Sequence, residues 1–244
     1  MDANAVYIKR FEPEFVENER LLYSMIGRHP RIVECLNTNL YDLPVDSREM
    51  AGKEPIRLAL APNGDLACYM ADHPDIPQHT RAKWGVQIAE GIAFIHSRNI
   101  VWGDCSPKNI LLNADLDTML CDFAGSALPG LGNDCAPPYR YTNPNIDFGF
   151  NFTGHRKIDT FAFGCVFLEI LTWTPAASDQ DWVPDVHRGG LSFDRERLLI
   201  DTVVFSPFKE IVENCWEDKY EDGGQLFAAV SAAWEKFKQF EGST

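Results

Sequence analysis

Basic residues are scarce in this sequence, which has 22 lysines and arginines against 36 aspartates and glutamates. The resulting net charge of -14 argues against nucleic-acid binding through general phosphate contacts, because such contacts need clustered lysine and arginine side chains. The same charge argues against association with an anionic membrane surface. We therefore expect neither nucleic acid nor a membrane among the partners, and we interpret the acidity as a solvated surface that keeps the protein in solution.

Paired cysteine motifs are missing as well. The sequence has seven cysteines, an odd number, and none of them forms a C-x-x-C pair. Four lie in apolar or helical patterns, namely Cys35, Cys121, Cys165 and Cys215. Free cysteine in such patterns behaves as a small buried hydrophobe, and this usage fits a reducing compartment.

Long apolar runs are also missing. No stretch near the N-terminus has the length of a signal peptide. The most apolar run begins at Phe161, but it is too short to span a bilayer and contains Glu169. We therefore expect a protein of the cytoplasm or, alternatively, of the nucleus.

The first third of the sequence has the pattern of a small strand-rich region. At 244 residues and 45% hydrophobic composition, the chain suits one large domain or two joined lobes. β-Branched residues predict three short strands, at residues 5–10, 31–36 and 55–61. A helical pattern runs from Pro13 to Gly27, where glycine is a typical helix stop. The cleft of the molecule is expected near residues 58 to 65.

The rest of the sequence is mainly helical in pattern. Apolar residues at three- and four-residue steps predict a helix over 81–98, and two short strands flank a turn at Asp115 to Asp117. A long irregular segment, 125–156, is rich in glycine, proline and asparagine. Three more helices are predicted, at 158–173, at 206–220 with Ser206 as its cap and Pro207 in first position, and at 224–240. The fold class is therefore α+β.

One stretch carries the chemistry, "VWGDCSPKNILL" from Val101 to Leu112. Asp104 precedes Asn109 by five residues, and Asp122 follows thirteen residues after that asparagine, directly before Phe123. Two acids and an amide at this spacing can hold metal ions and a substrate hydroxyl around a phosphate. An isolated aspartate or asparagine in a loop is usually a turn or cap residue, so the interpretation depends on the whole set.

The ordered series of motifs resembles the eukaryotic protein-kinase fold. Its members are "YIK" ending at Lys9, a helix carrying Glu19, "HPRIV" from His29, "APNGDL", "GDCSPKN", "DFA", "IDTFAFG" and "NCW". The likeness covers roughly residues 5 to 240, and some phrases resemble kinase-like proteins of filamentous fungi. It implies a single domain over 1–244, divided into a reduced N-lobe at 1–58, a hinge at 59–64 and a helical C-lobe at 65–244.

The resemblance also implies a role for each site residue. Asp122 and Asn109 would hold Mg²⁺, Asp104 would accept the hydrogen bond of the attacking hydroxyl, and Lys9, paired with Glu19, would hold the phosphates of ATP. Lys108 supplies a further cation for the γ-phosphate. The remaining nucleotide-binding residues implied are Leu58, Leu60 and Leu111. ATP and Mg²⁺ are thus the expected cofactors, and the substrate or partner is an unidentified protein.

Two further positions support the architecture. Asp159 begins the buried helix, where its kinase counterpart bonds the backbone of the catalytic loop, although the same residue also suits an N-cap. Trp102 replaces the histidine of the family, and we expect its indole to pack on Phe123.

The nucleotide side of the sequence departs from the kinase pattern. None of the eight residues that precede Lys9 is glycine, so the glycine-rich hairpin that covers ATP phosphates is missing from this sequence. We expect either a truncated gene product or weaker nucleotide binding. Tyr7 stands where the family has a small alanine, and its ring either fills the adenine space or swings outward. The interval from Lys9 to Glu19 is short, which leaves Glu17 as a substitute partner.

The catalytic and substrate side departs too. Gly103 replaces the arginine that reads a phosphate on the activation segment, so Tyr139, Tyr141 and Thr142 are poor candidates for a phosphorylation switch. Ser106 replaces the lysine of serine/threonine kinases. Lys108, two residues later, stands where tyrosine kinases have a compensating arginine, so the preferred substrate residue cannot be read from this loop. "NPN", ending at Asn145, replaces Ala-Pro-Glu, and Gly223 stands near the place of the arginine that pairs with that glutamate. Loss of both partners of a buried ion pair is nearly neutral, whereas loss of one costs about 3–5 kcal/mol.

Three functions remain open from the sequence. The retained charged residues favour a protein kinase with reduced nucleotide affinity. The missing glycine loop, Tyr7 and Gly103 favour a pseudokinase that acts as a binding or scaffold module. A small-molecule phosphotransferase also uses a G-D-x-x-x-x-N loop, and it is the third alternative.

Overall fold

The computed structural model describes residues 6–9, 13–38, 55–128, 141–143, 146, 155–173, 200, 203 and 205–242. Most of the predicted irregular segment 125–156 therefore lies outside the described residues. The same holds for Tyr139, for Asn145 and for the ends of the first predicted strand.

A two-stranded sheet and one helix form the smaller part of the molecule. Strand β1 (Val6–Lys9) pairs antiparallel with β2 (Ile56–Ala59), with Tyr7 opposite Leu58. Helix α1 (Pro13–Ile26) lies between them in sequence and ends where predicted, directly before Gly27. Val16, Leu22 and Ile26 of α1 are buried in the hydrophobic core, so the helix packs through one apolar face.

The predicted strand at 31–36 is not a regular strand. It forms two isolated bridges instead, one from Ile32 to Leu120 and one from Cys35 to Leu58. Leu36 N–H donates to the carbonyl of Arg57 at 2.7 Å, and Val33 N–H donates to the carbonyl of Leu120 at 3.0 Å. Because the segment 31–36 bonds one neighbour at each end, it joins the two small sheets and completes neither.

The larger part is mainly helical. Helices α2 (Leu66–Asp72) and α3 (Gln78–Ser97) precede a 3₁₀ turn (Pro107–Asn109) and the hairpin of β3 (Ile110–Leu112) and β4 (Thr118–Leu120). Helices α4 (Lys157–Thr172), α5 (Ser206–Trp216) and α6 (Gly223–Glu241) follow. The hairpin turns at the predicted place, and α4 is buried on almost every side, as its sequence predicts.

A cluster of phenylalanine rings holds the last three helices together. Phe167 of α4 stands 5.4 Å from Phe208 of α5, and Phe208 stands 5.1 Å from Phe237 of α6, measured between ring centroids. All three are buried, and each side chain contributes about 1.5–3 kcal/mol by leaving water. This cluster explains why three helices that are separated in sequence share one core.

Some details of the helices differ from the prediction. Helix α2 was not predicted, because it is only seven residues long and is set by its cap, Asp65, whose carboxylate accepts from the N–H of Cys68 at 2.9 Å. Helix α3 begins three residues earlier than predicted. Helix α5 ends at Trp216, and Ser206 is its first residue and not its cap, because Phe205 precedes the helix and no side chain caps it.

The described residues thus form the α+β architecture that the sequence predicts, with a small strand-bearing lobe and a larger helical lobe. None of the helices described is both long enough and apolar enough to cross a membrane.

Candidate functional site

The loop that carries Asp104 is anchored from the core by Asp159. This carboxylate lies in the first turn of α4 and is fully buried. It accepts the backbone N–H of Trp102 and that of Gly103, each at 2.7 Å. Gly103 has φ +82, a conformation that costs glycine little and would strain the arginine of the family at the same backbone geometry. Asp159 therefore bonds the loop, as expected, and makes no capping bond to its own helix.

His96 supports Asp159 from the other side. Its Nε2 lies 2.9 Å from Oδ2 of Asp159, and its Nδ1 lies 2.7 Å from the backbone nitrogen of Gly223. Since the amide of Gly223 can only donate, Nδ1 accepts and the ring hydrogen lies on Nε2. The loop is thus connected through two buried side chains to the first residue of α6.

Asp104 and Asn109 are held to each other. The Nδ2 amide of Asn109 donates to Oδ2 of Asp104 at 2.8 Å and to its backbone carbonyl at 3.0 Å. The 3₁₀ turn between them brings the two side chains together across five residues. Burial raises the pKa of Asp104, and the hydrogen bond from Asn109 opposes this increase.

Lys9 connects β1 to both α1 and the segment after β4. Its Nζ lies 2.8 Å from both carboxylate oxygens of Glu19 and 2.7 Å from Oδ1 of Asp122. Burial alone would lower the pKa of Lys9, but the two carboxylates raise it above its usual value, so Lys9 is an ammonium ion. Glu17, the alternative partner, is exposed, and Glu19 is fully buried.

Asp122 is held in an unusual backbone conformation. Its φ is +58, a region that non-glycine residues seldom adopt and that clusters at functional sites. The indole N–H of Trp102 is shared between the carbonyls of Cys121 and Asp122, at 3.0 and 3.2 Å. Phe123 stands 6.3 Å from the ring of Trp102 and 5.0 Å from that of Tyr23 of α1. Trp102 therefore packs near Phe123, as expected, and in addition fixes the backbone that presents Asp122.

A cavity of about 430 Å³ opens beside these residues, between the two lobes. It coincides with the cleft predicted near residues 58 to 65. Its lining includes most of the residues that the sequence assigns to the site, namely Lys9, Leu58, Leu60, Lys108, Asn109, Leu111 and Asp122. Glu19 and Asp104 are not part of this lining, but each is bonded to a residue that is.

Tyr7 also lines the cavity, and its side chain is 54% exposed. Since the cavity beside it has the size of a ligand pocket, the ring narrows the space without filling it. The sequence left two alternatives, a ring that fills the adenine space and a ring that swings outward. The ring stands between these two positions, at the edge of the cavity.

The sequence did not assign several lining residues, of which Asp65, Cys121 and Gly64 are examples. Asp65 was missed because its position depends on the cap of the unpredicted helix α2. Cys121 directly precedes Asp122 in the sequence, and this adjacency is the signal that could have identified it as a lining residue. Burial raises the pKa of the Cys121 thiol far above its usual value, which makes it unreactive as a nucleophile.

The donor set fits a magnesium ion that is shared with a phosphate. Asp122 and Asn109 both line the cavity, and Oδ2 of Asp122 and the amide oxygen of Asn109 accept no hydrogen bond among the described residues. Hard oxygen ligands of this kind are those that Mg²⁺ prefers, with water and phosphate completing its shell. Within the described part of the chain, no group of three or more carboxylate, histidine or cysteine side chains is placed to hold a metal ion. The described residues therefore offer few ligands of their own at this site.

The departures from the kinase pattern have local structural answers. Ser106 is buried and precedes the 3₁₀ turn, whereas Lys108 is exposed and lines the cavity. Asn143 is fully buried, and its Nδ2 donates to Oδ1 of Asp218 at 2.6 Å. This bond connects the "NPN" segment with Asp218, which lies between the end of α5 at Trp216 and the start of α6 at Gly223.

Comparison with known proteins gives further information. The family described as "Protein kinase domain" matches residues 5–220 of this chain. Mitogen-activated protein kinase spm1 of Schizosaccharomyces pombe is 32% identical over 105 residues, which are 40% of this chain and 25% of that protein. Mitogen-activated protein kinase mpkC of Neosartorya fischeri is 33% identical over 129 residues, 52% of this chain and 31% of that protein. Serine/threonine-protein kinase PKH2 of Saccharomyces cerevisiae is 24% identical over 188 residues, 69% of this chain and 16% of that protein.

The chain thus spans less than a third of the length of these three curated relatives. The family match extends over most of the chain and includes the whole lining of the cavity, from Tyr7 to Asp122. With its small strand-bearing lobe and larger helical lobe, this chain belongs to the protein kinase domain family.

Proposed function

We propose that this chain is an ATP-dependent protein kinase that transfers the γ-phosphate of ATP to a protein hydroxyl. The observation that carries the proposal is the position of Lys9, which is bonded to Glu19 of α1 and to Asp122 in a cavity that Asn109 also lines. These residues come from distant parts of the sequence, and a purely structural role would not require them to meet in a cavity of ligand size.

Each residue has a stated part in the reaction. Asp104 accepts the proton of the attacking hydroxyl, whose oxygen bonds to the γ-phosphorus while the bond to the β–γ bridging oxygen breaks and ADP leaves. Asp122 and Asn109 would hold Mg²⁺, whose charge would offset that of the phosphate oxygens. Lys9 binds the phosphates, oriented by Glu19, and Lys108 adds a cation near the γ-phosphate. Leu58, Leu60 and Leu111 provide the apolar contacts for the base.

We propose further that nucleotide binding is weak, because Tyr7 narrows the cavity on the β1 side. The division into an N-lobe at 1–58, a hinge at 59–64 and a C-lobe at 65–244 is part of the same proposal. It is supported by the position of the cavity next to Ala59, Leu60 and Ala61. The six described cysteines are free thiols, which supports a reducing compartment such as the cytoplasm.

Thermal unfolding with Mg²⁺-ATP tests the proposal. A ligand that binds the native state raises the melting temperature by mass action, and we expect a rise at millimolar nucleotide. Asp122→Asn should abolish metal-dependent phosphate transfer and leave the melting temperature without nucleotide nearly unchanged. The exposed residue Asp72 provides the matched control, since Asp72→Asn should retain activity. An unchanged melting temperature at millimolar Mg²⁺-ATP would contradict the proposal that this chain is an enzyme.

The second candidate is a pseudokinase that acts as a binding module. It is favoured by Gly103, whose φ of +82 is part of the loop geometry, so the loop has no arginine to sense a phosphate. A phosphate-transfer assay separates the two candidates: a kinase transfers phosphate from Mg²⁺-ATP, whereas a pseudokinase does not transfer phosphate under any metal condition.

A further inference from the structure

Lys9 stands between two carboxylates of different environments. Glu19 is fully buried, whereas the side chain of Asp122 is 36% exposed and lines the cavity. Nζ of Lys9 lies within 2.8 Å of both, so one ammonium ion serves two carboxylates. Glu19 is buried and other cations cannot reach it, so its carboxylate keeps the ammonium group of Lys9 in place. That ammonium group is thereby fixed next to Asp122.

This arrangement has a consequence for metal binding. Oδ1 of Asp122 already accepts a hydrogen bond from the ammonium group of Lys9, so Oδ2 is the carboxylate oxygen that remains for a metal ion. A divalent cation at Oδ2 would stand close to the fixed positive charge of Lys9, and the two would repel in a partly buried site. The amide oxygen of Asn109 is neutral and offsets little of this repulsion.

We propose that Lys9 makes divalent-cation binding at Asp122 conditional on nucleotide. In the nucleotide-free protein the ammonium excludes the free ion. Phosphates remove the exclusion, because they supply oxygen ligands for the metal and accept hydrogen bonds from Lys9 at the same time. The nucleotide half of this proposal rests on the proposed function, whereas the exclusion half rests on the distances around Lys9.

Free Mn²⁺ is a suitable probe, because the electron paramagnetic resonance signal of the hydrated ion reports the unbound fraction. We expect Lys9→Met to bind Mn²⁺ without nucleotide about tenfold or more tightly than the wild type. Lys9→Arg, which keeps the charge, should bind as weakly as the wild type. Adding Asp122→Asn to Lys9→Met should remove the gain and so assign it to this carboxylate.

A second lysine provides the matched control. Lys108 lines the same cavity but has no hydrogen bond to Asp122, so Lys108→Met should give a clearly smaller gain. A gain equal to that of Lys9→Met would mean that only the general field of the cavity matters, and this would overturn the proposal.

Lys9→Met removes the ammonium partner of the buried Glu19 carboxylate, a change that strongly destabilises a fold. The double variant Lys9→Met with Glu19→Gln removes both charges and avoids this problem, since loss of a whole buried pair is nearly neutral. Wild-type binding of free Mn²⁺ as tight as in this double variant would also overturn the proposal. A separate melting experiment with Mg²⁺-ATP distinguishes the outcomes: if nucleotide fails to bind while the Mn²⁺ result holds, the proposed function is wrong and the exclusion stands.

Discussion

The backbone N–H of Gly223 donates to Nδ1 of His96 at 2.7 Å, where the first turn of α6 meets the end of α3. A Cβ at residue 223 would lie 2.7 Å from the backbone nitrogen and 2.8 Å from the Cα of Ala93. The contact therefore exists only because residue 223 has no side chain. An arginine, which the kinase pattern places near this position, does not fit between these helices.

We expect Gly223→Ala to lower the free energy of unfolding by about 1–3 kcal/mol, because the added methyl group meets backbone that cannot rotate away. Urea denaturation measures the loss. Gly224→Ala is the matched control, since its Cβ would meet only the side chain of Asp222, at 3.2 Å. Equal stability of the two variants would show that the helices separate without cost.

Asn143 and Asp218 provide a test of the replacement for the missing ion pair. Asn143→Ala removes the buried amide that donates to the partly buried carboxylate of Asp218, and we expect a loss of about 0.5–1.5 kcal/mol in the free energy of unfolding, measured by urea denaturation. Exchange of the two residues, Asn143→Asp with Asp218→Asn, rebuilds an amide–carboxylate bond and should recover part of the loss. Asparagine also suits residue 218, whose φ is +55. Additive losses in this double-mutant cycle would contradict a direct interaction.

Asp117 makes stability depend on pH in the acid range. Burial raises the pKa of this carboxyl, but hydrogen bonds from Lys83 and Gln87 at 2.6 Å and the charges of Lys83 and Arg31 lower it overall. A depressed pKa in the folded state stabilises the fold above the unfolded pKa of about 3.9, and the contribution disappears as pH falls through the folded value.

We therefore expect Asp117→Asn to be less stable than the wild type at neutral pH, and the difference should narrow as pH falls below about 4. Asp115→Asn, in the same turn and exposed, is the control and should show no such trend. A difference that stays constant down to the acid limit of the fold would rule out the charge of Asp117 as its cause.

Tyr7 is expected to limit nucleotide affinity. Tyr7→Ala widens the cavity on the β1 side and should tighten nucleotide binding, measured by isothermal titration calorimetry. Ile8→Ala changes an equally exposed neighbour that points to the other face of β1 and does not line the cavity, so its affinity should remain that of the wild type. Unchanged affinity in Tyr7→Ala would place the ring outside the nucleotide pocket.

The elements with strong local patterns were predictable from the sequence. Helices α1, α3, α4 and α6 and the β3–β4 hairpin have clear apolar periodicity or turn residues, and all are present close to the predicted bounds. The prediction missed helix α2 and was wrong in assigning a regular strand to 31–36. Short elements take their form from their surroundings, here Asp65 as the cap of α2 and Leu58 and Leu120 as bridge partners of 31–36.

The composition of the site was more predictable than its connections. The motif spacing selects Asp104, Asn109 and Asp122, but the bond from Lys9 to Asp122 spans 113 positions and has no local signal. The bond from Asn143 to Asp218 spans 75 positions, and no pattern in the sequence predicts it. Such contacts depend on tertiary packing between distant segments, which periodicity does not report.

The segment 31–36 determines how the lobes can move against each other. Its residues bond β2 through Arg57 and Ala59, and they bond β4 through Leu120, so both lobes are tied to the same short length of backbone. A tilt of the small lobe that preserves these bonds must turn about this line. Such a tilt would change the width of the cavity most near Tyr7, at the far strand, and least near Cys121, which directly follows Leu120.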